Sequence, residues 1–201
     1  MALLLIFLLN LGISAWNAYA SGAYWTESKL IGGWTRFMTW CGLVMAACGW
    51  TWCYLVVFAF IGAAAGKLTP EDVDLMLKMG YLVIILPVVG SGFAITGHSL
   101  AQAYRERSFG SIARAGWNTY AQARNTYGAV RQAPGIWKEV SGAFSSKRGR
   151  SDNKGAGALL LAVLVIVALS AGVLTTIAIA MWADKRVALD LDNEFLGKSR
   201  A

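Results

Sequence analysis

His98 is the single histidine among 201 residues. A lone imidazole moves protons or holds a metal usefully only where carboxylates, thiolates or hydroxyls converge on it. The sequence supplies no such set: there is no HExxH pair, no glycine-rich phosphate loop and no hydrolase-like order of serine, histidine and aspartate. Cys41, Cys48 and Cys53 fall inside one apolar run, at a spacing that suits neither a zinc site nor a disulfide framework, and read as small packing residues. Asp190, Asp192 and Glu194 alternate like the opening of a calcium loop, but Phe195 stands where that loop requires glycine, so they read as a solvated acidic turn. No catalytic, cofactor or metal role is assigned to any residue, and enzymatic activity is not expected.

Polar residues inside apolar runs carry the next chemistry. Asn10, Ser14, Asn17 and Ser21 recur at i, i+4, i+7 and i+11 and share one stripe of a helix. Facing lipid, they would lack hydrogen-bond partners, so the stripe is expected to face other helices. A competing use is the lining of a pore built by several copies. Pro87, Ser91, Ala94 and His98 share a second stripe, with a proline kink beside Gly90 and Gly92. His98 sits near the cytoplasmic end of that run and is expected to be solvated or bonded within the bundle.

Charge is concentrated in one place. Between residues 100 and 155 lie ten basic residues and three acids, while the rest of the chain is neutral. Residues 118–131 contain a tandem heptad, NTYAQAR then NTYGAVR, which would align Arg124, Arg131 and Lys138 along one edge. Pro134 and Gly135 are expected to end that helix, with a second short piece over 136–144. Ile112, Gly116, Tyr120, Ala123, Tyr127 and Val130 gather on one side, and Arg114, Asn118 and Asn125 on the other. That pattern predicts an interfacial helix whose aromatic face enters the headgroup layer while its arginines meet anionic lipid. Arg114, Trp117, Tyr120, Arg124, Tyr127, Arg131 and Trp137 are its expected surface or partner contacts. Residues 145–155 read as a flexible linker, in which Lys147, Arg148 and Arg150 form a lipid-headgroup patch.

The elements that must position these residues follow from composition. The chain is 57% hydrophobic and only 14% charged, well below the roughly 25% of soluble domains. A membrane crossing needs about 20 apolar residues. Four windows qualify, 2–20, 37–65, 79–100 and 156–183, and predict an all-α integral membrane protein with four transmembrane helices and a basic amphipathic cytosolic segment between the third and fourth. The expected organisation is a membrane domain over 1–100, the basic segment over 101–155, and a last span with a short polar tail over 156–201. Thr69, Pro70, Glu71 and Asp72 form a strong helix start leading into the third span. Lysines and arginines favour the cytoplasmic side, so the basic segment predicts both termini outside, in a bacterial inner (plasma) membrane. Ala18-Tyr19-Ala20 resembles a signal cleavage site, but no Lys or Arg precedes the first run, which favours its retention as a span. The stretches WNAYASGAYW and GGWTRFMTWCG resemble small membrane proteins of bacterial viruses, a resemblance that carries over no functional residue.

These features predict a small multi-pass structural or interaction subunit, or anchor, of a membrane complex, with the basic segment on the cytosolic leaflet. Its expected partners are the bilayer with its anionic headgroups, and other membrane proteins or further copies of itself. The first alternative is an oligomeric channel or holin-like permeabilising protein. The second is a membrane tether for nucleic acid, the weakest of the three.

Overall fold

The computed structural model describes residues 2–145 and 152–198. They form six helices: α1 (Ala2–Ala23), α2 (Trp25–Ile31), α3 (Gly33–Ala64), α4 (Pro70–Glu106), α5 (Phe109–Ser145) and α6 (Asp152–Lys198). Among the described residues there is no strand. Four segments are long and apolar enough to cross a membrane, Leu4–Ala23, Gly33–Ala64, Pro70–Glu106 and Leu159–Leu189, and they coincide with the four expected runs.

Local chemistry sets the helix ends. Thr69 caps α4 by accepting from the Asp72 amide (3.2 Å), while the Asp72 carboxylate accepts from the Thr69 amide (3.0 Å), a reciprocal capping box with Pro70 at the first helical position. α3 ends in a turn at Gly66, whose φ of 63° favours glycine, and the Gly62 carbonyl accepts from both Lys67 and Leu68. Gly62 and Gly66 thus terminate a helix. α4 ends at Arg107, which adopts the left-handed conformation (φ 51°), and Ser108 then caps α5 through the Ser111 amide (3.2 Å). This two-residue corner folds α5 straight back along α4.

Small residues bring the helices together. A side chain on Gly42 would meet Ser21, and one on Gly49 would meet Ser14, so α1 and α3 touch closely along the polar stripe. Gly172 of α6 lies against Ala47 and Thr51 of α3, and the neighbouring Ala168 is fully buried. Gly22 of α1 meets the backbone of Ala180 on α6, and Tyr19 packs against Trp182 (centroids 5.8 Å apart). At the end where α3 turns into α4, a core forms from Leu55, Met76, Met79, Val140, Leu161 and Val165, drawn from α3, α4, α5 and α6.

These contacts give α1, α4 and α6 one direction and α3 and α5 the other. Three expectations are corrected. Pro134 does not end the amphipathic helix: α5 runs unbroken for 37 residues from Phe109 to Ser145, because Ile136 and Val140 beyond the proline pack into the core while the Pro134 ring lies on the exposed side. The linker shortens, since residues 152–155 already belong to α6; 146–151, with Lys147, Arg148 and Arg150, lie outside the described residues. Finally, α1 and α6 are parallel, so the start of α1 and the end of α6 lie at opposite ends of the bundle. α5 recrosses the bundle and reverses the direction that the charge pattern alone assigns to the last span.

Candidate functional site

The region that remains unpartnered is the outer side of α5. Its inner side is built from small and polar residues at alternating intervals of three and four: Ser111, Ala115, Asn118, Gln122, Asn125 and Ala129. That spacing follows a straight seam along a neighbouring helix. The Asn118 Nδ2 donates to Ser99 Oγ (2.6 Å), and its carbonyl accepts from Thr96 (3.2 Å). Gln122 Nε2 donates to the Val89 carbonyl (3.0 Å) through the gap left by Gly92, which has no side chain to block it. Farther along, Gly128 faces the Tyr81 hydroxyl, and Lys78 bridges Glu139 of α5 and Asp74 of α4. α5 therefore follows α4 antiparallel from the Arg107 corner to the level of Lys78.

Asn118 and Asn125, expected on the solvent side, are turned into this seam. A helix that tracks α4 turn for turn shares its inclination, so α5 cannot lie flat on a leaflet while α4 crosses the membrane. The outer side carries two adjoining strips. One is apolar and aromatic, with Ile112, Tyr120, Tyr127, Val130 and Trp137 all exposed. The other is basic: Arg114, Arg124, Arg131 and Lys138 are exposed along one edge, with Trp117 beside them. Small residues, Ala121, Gly128 and Gly135, separate the charges, and nothing lies within 4 Å of where a Gly135 side chain would begin. The Arg131 guanidinium reaches only the Tyr127 hydroxyl (3.1 Å) and ring. Among the described residues, Arg124 and Arg131 have no carboxylate within ion-pair distance. Arg124 lies two residues beyond Gln122, level with the middle of the apolar stretch 79–100 of α4.

The other sequence-derived positions are separate from this face. Asn10 donates to the Gly49 carbonyl (3.1 Å) and to Cys53 Sγ (3.3 Å), and Ser14 donates to the Asn10 carbonyl (2.7 Å). Ser14 and Ser21 are buried and Asn17 is half-buried, and the α1 stripe packs against α3. Ser91 is half-buried on α4. His98 is exposed at the α2 end, where its Nδ1 accepts from Trp34 Nε1 (3.0 Å). It opens onto a cavity of about 450 Å³ shared with Gln102, Arg105 and Glu106. No group of three or more metal-ligating side chains occurs among the described residues.

No protein-family model, curated protein or solved structure matches this chain. Sequence reading identified the arginines but missed that they lie on a helix packed lengthwise along α4. The missed signal is the continuation of the heptad beyond the tandem pair. Ala121, Gly128, Gly135 and Gly142 are spaced by seven, as are Arg124, Arg131 and Lys138, so the same face persists through Pro134.

Proposed function

We propose that the chain is a multi-pass subunit of a membrane assembly, set in a bacterial plasma membrane, and that it joins its partners through the outer face of α5. One observation carries this reading: Arg124 is exposed and unpaired on a helix packed, through Gln122 and Val89, against the middle of an apolar helix long enough to cross a membrane. A charge at the bilayer centre costs about 2.5–3.5 kcal/mol on insertion scales, and such residues face water or a partner. A lone copy leaves Arg124 on its lipid-facing perimeter, with the unpaired Arg131 two turns farther along the same edge. Association that covers this face removes the penalty.

The adjoining Tyr120, Tyr127 and Trp137 support the same face, because aromatic residues and arginine are the side chains that most often anchor protein interfaces. The small residues along the basic edge allow a second helix to approach closely. The test is a photo-crosslinking amino acid at position 124 or 131 in the full chain, in producing cells. A discrete protein adduct is expected at both positions and not at Leu5, which is exposed on α1. Adducts to lipid alone at positions 124 and 131 would refute the reading.

A further inference from the structure

We propose that the cleft between α3 and α6 at the α2 end binds an ethanolamine phospholipid, which lays one acyl chain along the cleft and places its ammonium group on Asp184. The site is drawn from α2, α3 and α6 and stands apart from the α5 face.

α3 and α6 meet where Gly172 lies against Ala47 and Thr51. From that crossing toward α2 a cavity of about 470 Å³ opens between them, walled by Val44, Ala47, Val173, Ile177 and Met181. From Val173 to Asp184 it follows α6 for about 16 Å at the helical rise per residue. Val173, Ile177 and Met181 are exposed, so the cleft is open to the side, between two helices long and apolar enough to cross a membrane. The crossing stops its inner end. At the other end stand Trp25 of α2 and Trp40, whose rings meet edge-on (centroids 5.3 Å apart). A slot stopped at both ends admits a flexible acyl chain, whereas a partner's spanning helix would have to run past both stops. The two indoles also set the depth, since such rings are stable at the headgroup level.

The outer end carries the charge. The Asp184 carboxylate is half-buried and accepts from the Thr26 amide (3.3 Å) and hydroxyl (2.7 Å), both on Oδ1. Among the described residues no cation lies within ion-pair distance of it. Arg186 is drawn instead over the Trp182 ring (4.9 Å), and Lys29 over the Trp25 ring (5.1 Å). An ammonium group answers this carboxylate through Oδ2 and gains from the Trp25 and Trp40 rings beside it. Lys29, one turn beyond Trp25 on α2, supplies a positive charge for the phosphate that adjoins an ethanolamine ammonium. Two opposite charges on one rim match a zwitterionic head. An anionic head brings no ammonium to Asp184, and a choline head has no N–H to donate to it.

The experiment presents the purified full chain, in mild detergent, with equimolar phosphatidylethanolamine, phosphatidylcholine and phosphatidylglycerol, and reads the retained lipid by native mass spectrometry. One phosphatidylethanolamine is expected, preferred about tenfold over each competitor, the worth of one charge-assisted hydrogen bond. Asp184→Asn keeps an acceptor for Thr26 and should remove that preference over phosphatidylcholine. Lys29→Gln, at an exposed position, should weaken retention of phosphatidylethanolamine, and Val44→Phe, which fills the cleft, should weaken retention of all three. Circular dichroism checks that each variant folds. A photo-crosslinking amino acid at Ile177, which leaves the polar rim untouched, should carry a phosphatidylethanolamine adduct in isolated membranes. No retained lipid, equal retention of the three, or a preference unchanged in folded Asp184→Asn overturns the proposal. So does an Ile177 adduct to a protein or to another lipid.

Discussion

Gly172→Ala tests the closest crossing in the bundle. A methyl group at Gly172 would lie 2.5 Å from Thr51 Oγ1, 2.7 Å from the Thr51 nitrogen and 2.9 Å from the Ala47 carbonyl oxygen. Two of these atoms are backbone, and the third is fixed because the Thr51 hydroxyl donates to the Ala47 carbonyl (2.7 Å). No rotamer change relieves the clash; α3 and α6 must separate. That separation also strains the bond between Tyr54 and Thr175 (2.8 Å), one turn away on α6. Overpacking of this kind costs about 1–3 kcal/mol. Against it stands the gain from replacing glycine by alanine within a helix, about 1 kcal/mol. Gly12→Ala isolates the steric part, because nothing lies within 4 Å of a side chain there and it receives the helical gain alone. Unfolding by sodium dodecyl sulfate in mixed micelles, followed by far-ultraviolet circular dichroism, should place Gly172→Ala about 1–3 kcal/mol below Gly12→Ala. Equal stabilities would refute the close α3–α6 crossing.

Asn10→Ala removes the bonds to Gly49 and Cys53 and should destabilise by about 0.6 kcal/mol, and no more than about 1.7, in the same assay. Thr69→Ala opens the capping box of α4 and should cost about 1 kcal/mol. Arg107→Gly relieves a left-handed residue and should raise stability by roughly 1 kcal/mol; a loss would argue against the tight corner between α4 and α5. Ser99→Cys with Asn118→Cys should form a disulfide in isolated membranes under mild oxidation, read as faster migration on a non-reducing gel, whereas Ser99→Cys with Val130→Cys should not.

The four apolar runs were readable because length and hydropathy determine them without reference to any partner. The start of α4 was equally plain, since its cap, proline and acids act within a single turn. α5 was only half legible. Its seam consists of Ser111, Ala115, Asn118, Gln122 and Asn125, which an apolar periodicity search passes over, and Pro134 is a strong local stop signal. Contacts of Ile136 and Val140 with the core outweigh that signal, and they become visible only once α6 has returned. The direction of α6 was misread for the same reason: a charge rule assigns a polar helix to one side of the membrane and has no means of crediting it with a crossing. On α1 the serine and asparagine stripe lies against α3, and nothing in its spacing revealed that Gly42 and Gly49 of α3 would receive it.

The parallel course of α1, α4 and α6 depends on a single reversal. Had the chain run on past Glu106 without turning, α6 would have begun at the far end of the bundle and could have packed on α3 only in the opposite direction. The two-residue corner at Arg107 and Ser108 therefore does more than join two helices. By returning the chain alongside α4, it brings the start of α6 back to Leu55 and Met76 and so sets which way the last helix runs.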